Sequence, residues 1–545
     1  LDENNKALYQ SNVPGVFIVE GFAEDAAGNK GYDRKVLLFL TESDDTNPPT
    51  VKINTPEKSA SLSIPIDIVG TVLDDSEILL YTLEYSPVGR DEYIEFARRE
   101  SSVINDVLGQ FDPTQLKNGY YDIRLTAIDT AGNVSHITTT YKVEGQLKIG
   151  NFSITFNDLS IPVTGIPITI NRTYDSRNKS KGDFGYGWSI DINSITIEES
   201  IEPYAFWNYY HQEESILPFL PPVNVYYLEE TREHKILVNY PDGRTDEFKM
   251  VVKPERQELL PISQVTVEYV AINGTTSKLE AIGDNLVIPI DYSYDGPGNV
   301  VLMNTAMELY NPDRYKLTQL DGTVLIINQN TGIEKIIDVN GNEIIFDEKG
   351  ITHSAGKSIL FTRDSEGRIT CITDPAGNSI TYTYDYYGDL VSVKDQAGYI
   401  TSFTYNSSHE LIDIINPRGV RAVRNEYDEN GRLIAHIDAD GNRIEFTHNI
   451  GDRQEIVKNR LGHIIVYDYD SSGNILQETD ALGNVKKYTY DAHGNRTSET
   501  DALGNTTKYT YDEKGNMLTK TDPAGNTYTY TYDDKGNILT ITDPN

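Results

Sequence analysis

The stretch that decides the fold is residues 501–526, which read Asp501-Ala-Leu-Gly-Asn-Thr-Thr-Lys-Tyr-Thr-Tyr511-Asp-Glu-Lys-Gly-Asn516-Met-Leu-Thr-Lys-Thr-Asp522-Pro-Ala-Gly-Asn526. Two turn phrases alternate in it, Asp-x-x-Gly-Asn and Tyr-Asp-x-x-Gly-Asn. Gly and Asn accept positive φ, and an Asp side chain can bond the backbone two residues on, so both phrases predict tight turns. The segments between them alternate in polarity, which predicts two strands per unit and therefore a β-hairpin.

This hairpin unit repeats through the last third of the chain. The first phrase begins at residues 374, 395, 416, 438, 459, 480, 501 and 522, which are 21 or 22 residues apart. A fixed period predicts an array in which each unit is stabilised by its neighbours. Tyr488, Tyr509 and Tyr530 hold corresponding places in successive units. If neighbouring units pair edge to edge, these residues are expected to form an aromatic ladder along the sheet.

The two phrases resemble the YD repeats of the Rhs family, which includes bacterial Rhs and wall-associated polymorphic toxins, toxin-complex components and animal teneurins. The resemblance covers residues 374–545 and extends back to about Tyr315 through weaker copies such as Asp338-Val-Asn-Gly-Asn342. It implies an all-β fold, a spiralling antiparallel sheet that closes into a hollow cocoon or barrel. In many members this shell encloses a toxic C-terminal domain, so the resemblance implies a similar cargo here.

A second set of motifs lies in residues 146–195. Asn171-Arg-Thr-Tyr-Asp-Ser176 and Phe184-Gly-Tyr-Gly-Trp188 resemble the segment that precedes YD arrays in Rhs-type proteins. The alternation over residues 166–173 predicts a strand, on which Arg172 is a candidate to pair with a neighbouring carboxylate. We expect this segment to cap the shell, because a repeat stack must cover its open edge.

The first quarter of the chain predicts sandwich modules. Short strands with turn punctuation over residues 50–144 favour an immunoglobulin-type β-sandwich, similar to bacterial Ig-like modules found in tandem on surface proteins. Residues 1–47 resemble the end of another such sandwich, with a turn at Asp25-Ala-Ala-Gly-Asn29. The predicted division is 1–47, 48–145, 146–313 (cap segment, first shell strands and an insertion) and 314–545 (the YD shell).

Composition excludes several classes of protein. The chain has 47 Lys and Arg against 83 Asp and Glu, a net charge of −36, which argues against a nucleic-acid partner. No apolar run reaches the ~18 residues of a membrane span, so we expect no membrane insertion. Leu1 is not a natural start and residue 545 falls inside a repeat, so we expect a piece of a longer protein.

Candidate chemistry is sparse. The recurring aspartates sit at turn positions, and the nine histidines lack metal-binding spacing, so we expect no catalytic residue and no enzyme activity. Asp44, Asp45, Asp74 and Asp75 either supply oxygen ligands to a structural Ca²⁺ or form a solvated acidic loop pair. Cys371 is expected to act as a small buried hydrophobe on the face of Ile369 rather than as a nucleophile.

Three functions follow. The first is a secreted or cell-surface shell that encapsulates or displays a C-terminal effector lying outside this sequence. The second is a teneurin-like adhesin with an Ig-like stalk, whose partner is a cell-surface protein or glycan. The third is a carbohydrate-binding or glycan-active protein, which depends on the aromatic run Ala205-Phe-Trp-Asn-Tyr-Tyr-His211; that run is equally a loop packed on the shell.

Overall fold

The computed structural model describes the chain apart from thirteen short stretches. These are residues 1–13, 25–29, 41–43, 59, 91–92, 146–147, 192–194, 216–220, 242–243, 292–298, 513–514, 534–535 and 545, together with side chains at 18 and 20–36. The turn predicted at Asp25–Asn29 therefore lies outside the described residues.

The chain forms two compact units. The first comprises Leu1–Pro113 with Tyr120–Glu144, and the second comprises Thr114–Gly119 with Gly145–Asn545. The finer division into four domains remains a prediction.

The first unit is built from short antiparallel strands and one parallel contact. Its strands are β1 Gly15–Glu24, β2 Lys30–Phe39, β3 Thr50–Thr55, β4 Ser61–Leu62, β5 Ile66–Leu73, β6 Ile78–Pro87, β7 Ile94–Arg99, β8 Val103–Phe111, β9 Gly119–Asp129 and β10 Val134–Val143. They form the pair β1-β2, a sheet β3-β5-β8 and a sheet β4-β10-β9-β6-β7. Phe111 of β8 packs on Phe96 of β7 at 5.4 Å between ring centroids, so the two larger sheets share a core. The immunoglobulin type of this unit remains a prediction.

The second unit begins with a small cap sheet and a larger insert sheet. The cap sheet is β11 Ser153–Ile161, β12 Ile168–Asp175 and β15 Trp188–Ile190, with the hairpin β13 Lys181–Gly182 and β14 Gly185–Tyr186 beside it. The insert sheet has the order β16-β19-β20-β22-β24-β25-β17-β18-β21. Its strands are β16 Thr196–Glu199, β17 Trp207–Glu214, β18 Val223–Glu230, β19 Lys235–Asn239, β20 Thr245–Lys253, β21 Arg256–Glu258, β22 Val265–Ile272, β24 Leu286–Asp291 and β25 Val300–Asn304.

The rest of the second unit is one antiparallel sheet of 24 strands, here called the long sheet. It starts with β23 Lys278–Ala281 and continues as β26 Arg314–Thr318, β27 Val324–Asn328, β28 Gly332–Ile337, β29 Glu343–Asp347, β30 Gly350–His353, β31 Ser358–Arg363, β32 Ile369–Thr373, β33 Ser379–Tyr384, β34 Leu390–Lys394, β35 Ile400–Tyr405 and β36 Leu411–Ile415. It ends with β37 Arg421–Tyr427, β38 Leu433–Asp438, β39 Arg443–Asn449, β40 Gln454–Lys458, β41 Ile464–Tyr469, β42 Ile475–Thr479, β43 Val485–Tyr490, β44 Arg496–Thr500, β45 Thr506–Tyr511, β46 Met517–Thr521, β47 Thr527–Tyr532 and β48 Ile538–Thr542. From β26 onward each strand pairs with the next in sequence.

The all-β prediction is confirmed. Helical structure in the described residues is limited to the 3₁₀ turn Pro113–Gln115 and to Asp191. Among them no helix is both long and apolar enough to span a bilayer.

The two faces of the long sheet differ in what covers them. On one face, Ile380 and Tyr382 of β33 and Phe403 of β35 are buried in a core that includes Tyr174 and Trp188 of the cap sheet. On the other face, Thr and Ser residues form hydrogen bonds across neighbouring strands, as between Thr510 and Thr519 at 2.7 Å. We call these the core face and the threonine face.

The predicted direct contact between tyrosines of successive repeats is wrong. Tyr488 lies opposite Glu499, and Tyr509 lies opposite Lys520, because each repeat places a second strand between one tyrosine-bearing strand and the next. Each ring therefore packs beside charged side chains rather than against the next tyrosine.

Candidate functional site: the docked and open parts of the core face

The turn phrase forms a closed ring of hydrogen bonds. Oδ1 of Asp480 accepts from the backbone N–H of Leu482 at 2.9 Å and of Asn484 at 2.8 Å. Nδ2 of Asn484 donates to Oδ2 of Asp480 at 2.9 Å. Gly483 takes a φ of 82°, which a residue with a Cβ rarely adopts. The bond from Asn484 is the largest cause that lowers the pKa of the Asp480 carboxyl. These carboxylates therefore hold turns together.

In several repeats the tyrosine of the second phrase bonds to the repeat before it. The hydroxyl of Tyr511 donates to the carbonyl of Arg496 at 2.9 Å, and that of Tyr532 donates to Met517 at 2.8 Å. Tyr384, Tyr405 and Tyr490 make the same bond to the residue fifteen positions earlier. At the corresponding place His448 replaces tyrosine, and its Nε2 lies 2.8 Å from the carbonyl of Leu433.

A buried ion pair joins the cap sheet to the long sheet. Arg172 of β12, 1% exposed, makes two hydrogen bonds to Asp158 of β11, at 2.8 and 3.1 Å. The predicted carboxylate partner of Arg172 is thus Asp158. The hydroxyl of Tyr382 in β33 donates to the same carboxylate at 2.8 Å. The guanidinium also lies 4.5 Å from the ring centre of Trp188, a distance at which cation–π attraction operates.

The cap segment also contacts four successive turns at one edge of the long sheet. In these turns the fifth residue is Arg368, Asp389, Glu410 or Arg432, where later repeats have Asn. Asp389 is 2% exposed and Glu410 is 3% exposed. Glu410 accepts from Lys179 of the cap at 3.3 Å. Tyr186 of β14 stacks on His409 with 3.9 Å between ring centroids.

Beyond these turns the core face is open. The cap core ends near Ile414 of β36 and the half-buried Val423 of β37. Cross-strand pairing continues the same face through Tyr488, Glu499, Tyr509, Lys520 and Tyr530. The three tyrosines are half-buried, whereas Tyr382 under the cap is 4% exposed. Over β43–β48 the face thus combines aromatic rings with charges of both signs.

The acidic residues of the first unit come together only in part. Asp45 and Asp74 lie with Asp129, one carboxylate oxygen of each being within 4.8 Å of the others. Asp44 and Asp75 are exposed and stand outside this group, and Asp75 accepts from Asn47 instead. Asp129 also holds a turn, because its carboxylate accepts from the backbone N–H groups of Gly132 and Asn133. Nothing in its spacing to Asp45 or Asp74 predicts their proximity. Carboxylate oxygens suit Ca²⁺, so the calcium prediction now rests on these three residues.

The aromatic run at 205–211 contributes mainly to a core. Trp207 is 2% exposed, stacks on His234 at 4.7 Å and donates its indole N–H to the carbonyl of Pro203 at 3.0 Å. Tyr210 stacks on Tyr227 at 5.1 Å and is 38% exposed.

The predicted position of Cys371 is wrong. The residue is half-buried and lies opposite Thr362 and Thr381, hence on the threonine face. A register shift between Cys371 and Ile369 breaks the alternation on which the prediction depended.

Three family models match parts of the second unit. A domain of unknown function (DUF6531) matches residues 146–206, which include the cap sheet. The Teneurin YD-shell family matches residues 277–446, and the RHS Repeat family matches 469–506, 490–527 and 511–545. These matches identify residues 277–446 and 469–545 as belonging to the Rhs/YD-repeat family.

Solved structures similar to this Rhs/YD-repeat chain include toxin-complex proteins. The crystal structure of TcdB2-TccC3 without its hypervariable C-terminal region is 10% identical, with a TM-score of 0.31, and the match covers 97% of this chain and 33% of that one. TcdB2-TccC3-TEV is 14% identical, with a TM-score of 0.29 and coverage of 61% and 23%. The Tc holotoxin pore of Photorhabdus luminescens is 10% identical, with a TM-score of 0.24 and coverage of 87% and 27%. The chain thus spans about a quarter to a third of their lengths. Comparison with curated protein sequences gave no match.

Proposed function

We propose that the second unit is part of a shell wall whose open core face contacts an effector segment of the same polypeptide outside this sequence. The observation that carries the proposal is the change along this face. The cap contacts this face as far as β38, where Phe152 stacks on His436 at 5.8 Å, whereas from Tyr488 onward its residues are half-buried or exposed, although the strand pairing is unbroken. Membership of the Rhs/YD-repeat family supports this role.

The chemistry of the open part suits an enclosed polypeptide. Tyrosine rings supply contact area at low entropic cost, and their hydroxyls tolerate water. Glu499 and Lys520 offer both charges beside those rings. Such a surface can hold an extended chain of mixed composition without a dedicated pocket.

Site-specific photo-crosslinking tests the proposal on the intact polypeptide from which this sequence comes. Tyr509→p-benzoylphenylalanine places the probe on the core face, and Lys508→p-benzoylphenylalanine, one residue earlier, is the matched control on the threonine face. We expect intramolecular crosslinks to the effector segment from position 509 and none from 508. Equal crosslinking from both positions, or none from 509 in folded protein, would contradict the proposal.

The teneurin-like adhesin is the second candidate, and the Teneurin YD-shell match over residues 277–446 favours it. In that case the partner is a cell-surface protein or glycan bound in trans. Position 508 would then crosslink a second molecule at intact cells, while position 509 would crosslink nothing.

We further propose that the protein acts at the cell surface or after secretion and has no catalytic activity of its own. Fractionation of cells that produce the intact polypeptide tests the location: recovery only from the cytosol would contradict it.

A further inference from the structure

A buried carboxyl connects the insert sheet to the long sheet. Glu199 is the last residue of β16 and is 6% exposed. The hydroxyl of Tyr315 in β26, itself fully buried, donates to its Oε1, and the side chain of Gln329 also donates to it. This carboxyl–phenol contact therefore joins two sheets of the same compact unit.

None of the described groups that influence the Glu199 carboxyl is positively charged. A ring of β22, Tyr269, packs edge-on against Tyr315 at 5.7 Å, and its hydroxyl lies 3.2 Å from that of Tyr310. The charge that influences Glu199 is the like charge of Glu202, and Tyr310 is in turn influenced by Asp284.

Charged residues on the packed strands are engaged elsewhere. Lys235 of β19 pairs with Glu233 at 2.9 Å. On β28, Glu334 pairs with Arg314, and Lys335 pairs with Glu343 at 3.0 Å. An ionised Glu199 would therefore keep its charge in an apolar joint with only neutral hydrogen-bond donors.

We propose that the Glu199–Tyr315 contact is a pH-sensitive joint between the insert sheet and the long sheet, closed while Glu199 holds its proton and loosened when the carboxyl ionises.

The direction of the effect follows from the pKa of this group. Burial raises the pKa of Glu199 from 4.5 to about 7. Below 4.5 the carboxyl is protonated in both the closed and the opened joint, and its contribution to closure is complete. Between these values only the opened joint ionises, so closure weakens by up to about tenfold per pH unit as the pH rises. Above the folded value this loss levels off.

Hydrogen exchange measured by mass spectrometry on the whole chain tests the joint, with rates corrected for the intrinsic pH dependence of exchange. In the unmodified protein, protection of peptides covering β16 and β26 should fall between pH 5 and pH 8. In Glu199→Gln it should stay level. The control Glu268→Gln removes an exposed carboxyl of the insert sheet, paired with Lys253 at 2.6 Å, and should fall like the unmodified protein.

A second variant keeps the test decisive if Glu199→Gln does not fold. The bond from Tyr315 lowers the pKa of Glu199 in the closed joint, so in Tyr315→Phe the fall in protection should begin at the same pH but level off at a higher pH. The proposal is overturned if protection is level in the unmodified protein, if it falls equally in Glu199→Gln, or if protection in Tyr315→Phe levels off at the same pH as in the unmodified protein or at a lower one.

Discussion

At the residue scale, the repeat phrase is a hydrogen-bonded device rather than a catalytic one. The spacing of four between Asp and Asn lets one carboxylate accept two backbone N–H groups and one side-chain amide, as at Asp501 and Asn505. The recurrence of the phrase therefore needs no ligand to explain it.

Acid should weaken these turns. Hydrogen bonds from the partner Asn are the leading cause that lowers the pKa of Asp438, Asp480, Asp501 and Asp522 below 3.8. A lowered pKa in the folded state contributes stability above the unfolded value that is lost as pH falls through the folded one. We expect circular dichroism to show the array stable at pH 5 and losing β-structure below pH 4. A melting temperature unchanged down to pH 2 would contradict this.

The tyrosine hydroxyl provides a second residue-scale test. Tyr511→Phe removes the bond to Arg496 while keeping the ring, and should cost about 0.5–1.5 kcal/mol. The control is Tyr509→Phe on the same strand, whose hydroxyl makes no such bond among the described residues. Urea unfolding should separate the two variants, and equal losses would argue against the inter-repeat tie.

At the scale of elements, the cap is fixed by a buried charge. Arg172→Met would leave the Asp158 carboxyl, 6% exposed, without its buried partner, so it should cost about 3–5 kcal/mol. The matched control is Arg424→Met, which breaks a pair with Asp413 whose arginine is 40% exposed and should therefore cost much less.

The double variant Arg172→Met/Asp158→Leu tests whether the stability lost in Arg172→Met is restored when both charges are removed. Removing both charges should recover most of the loss, because an apolar pair leaves no buried ion. Thermal unfolding of the unmodified protein, Arg172→Met and the double variant measures this recovery. A double variant less stable than Arg172→Met would show that the ion pair contributes more stability than the burial of its charges costs.

The acidic group of the first unit predicts a metal-dependent stability. If Asp45, Asp74 and Asp129 hold Ca²⁺, the cation should raise the melting temperature of the chain, and chelation should reverse the rise. Asp74→Asn should abolish the response, whereas Asp44→Asn, which changes an exposed residue outside the group, should preserve it. Calorimetry with no heat of Ca²⁺ binding would end this hypothesis.

At the scale of the molecule, what the sequence predicts depends on periodicity. The hairpin array was predictable because turn and strand signals agree at every repeat. The insert sheet was not, because residues 196–313 carry no repeat and their strand order, β16-β19-β20-β22-β24-β25-β17-β18-β21, is set by packing. The bulge at Cys371 shows the same limit within a single strand.

The sequence does mark the edge of the long sheet that the cap segment contacts. The fifth turn residue departs from Asn at Arg368, Asp389, Glu410 and Arg432, which lie where the cap contacts the sheet. It also departs from Asn at Arg453 of the next turn, and it is Asn from Asn474 onward. Charges at an otherwise neutral repeat position indicate turns with their own partners. Comparing this fifth turn residue between repeats also distinguishes the part of the core face under the cap from the open part.

Cryo-electron microscopy of the intact polypeptide would show directly which face of the long sheet is enclosed. We expect a curved wall in which Tyr488, Tyr509 and Tyr530 face an enclosed density from the rest of the chain, with Thr510 and Thr519 toward solvent. A flat sheet, a space filled by the wall's own side chains, or the threonine face turned inward would contradict it.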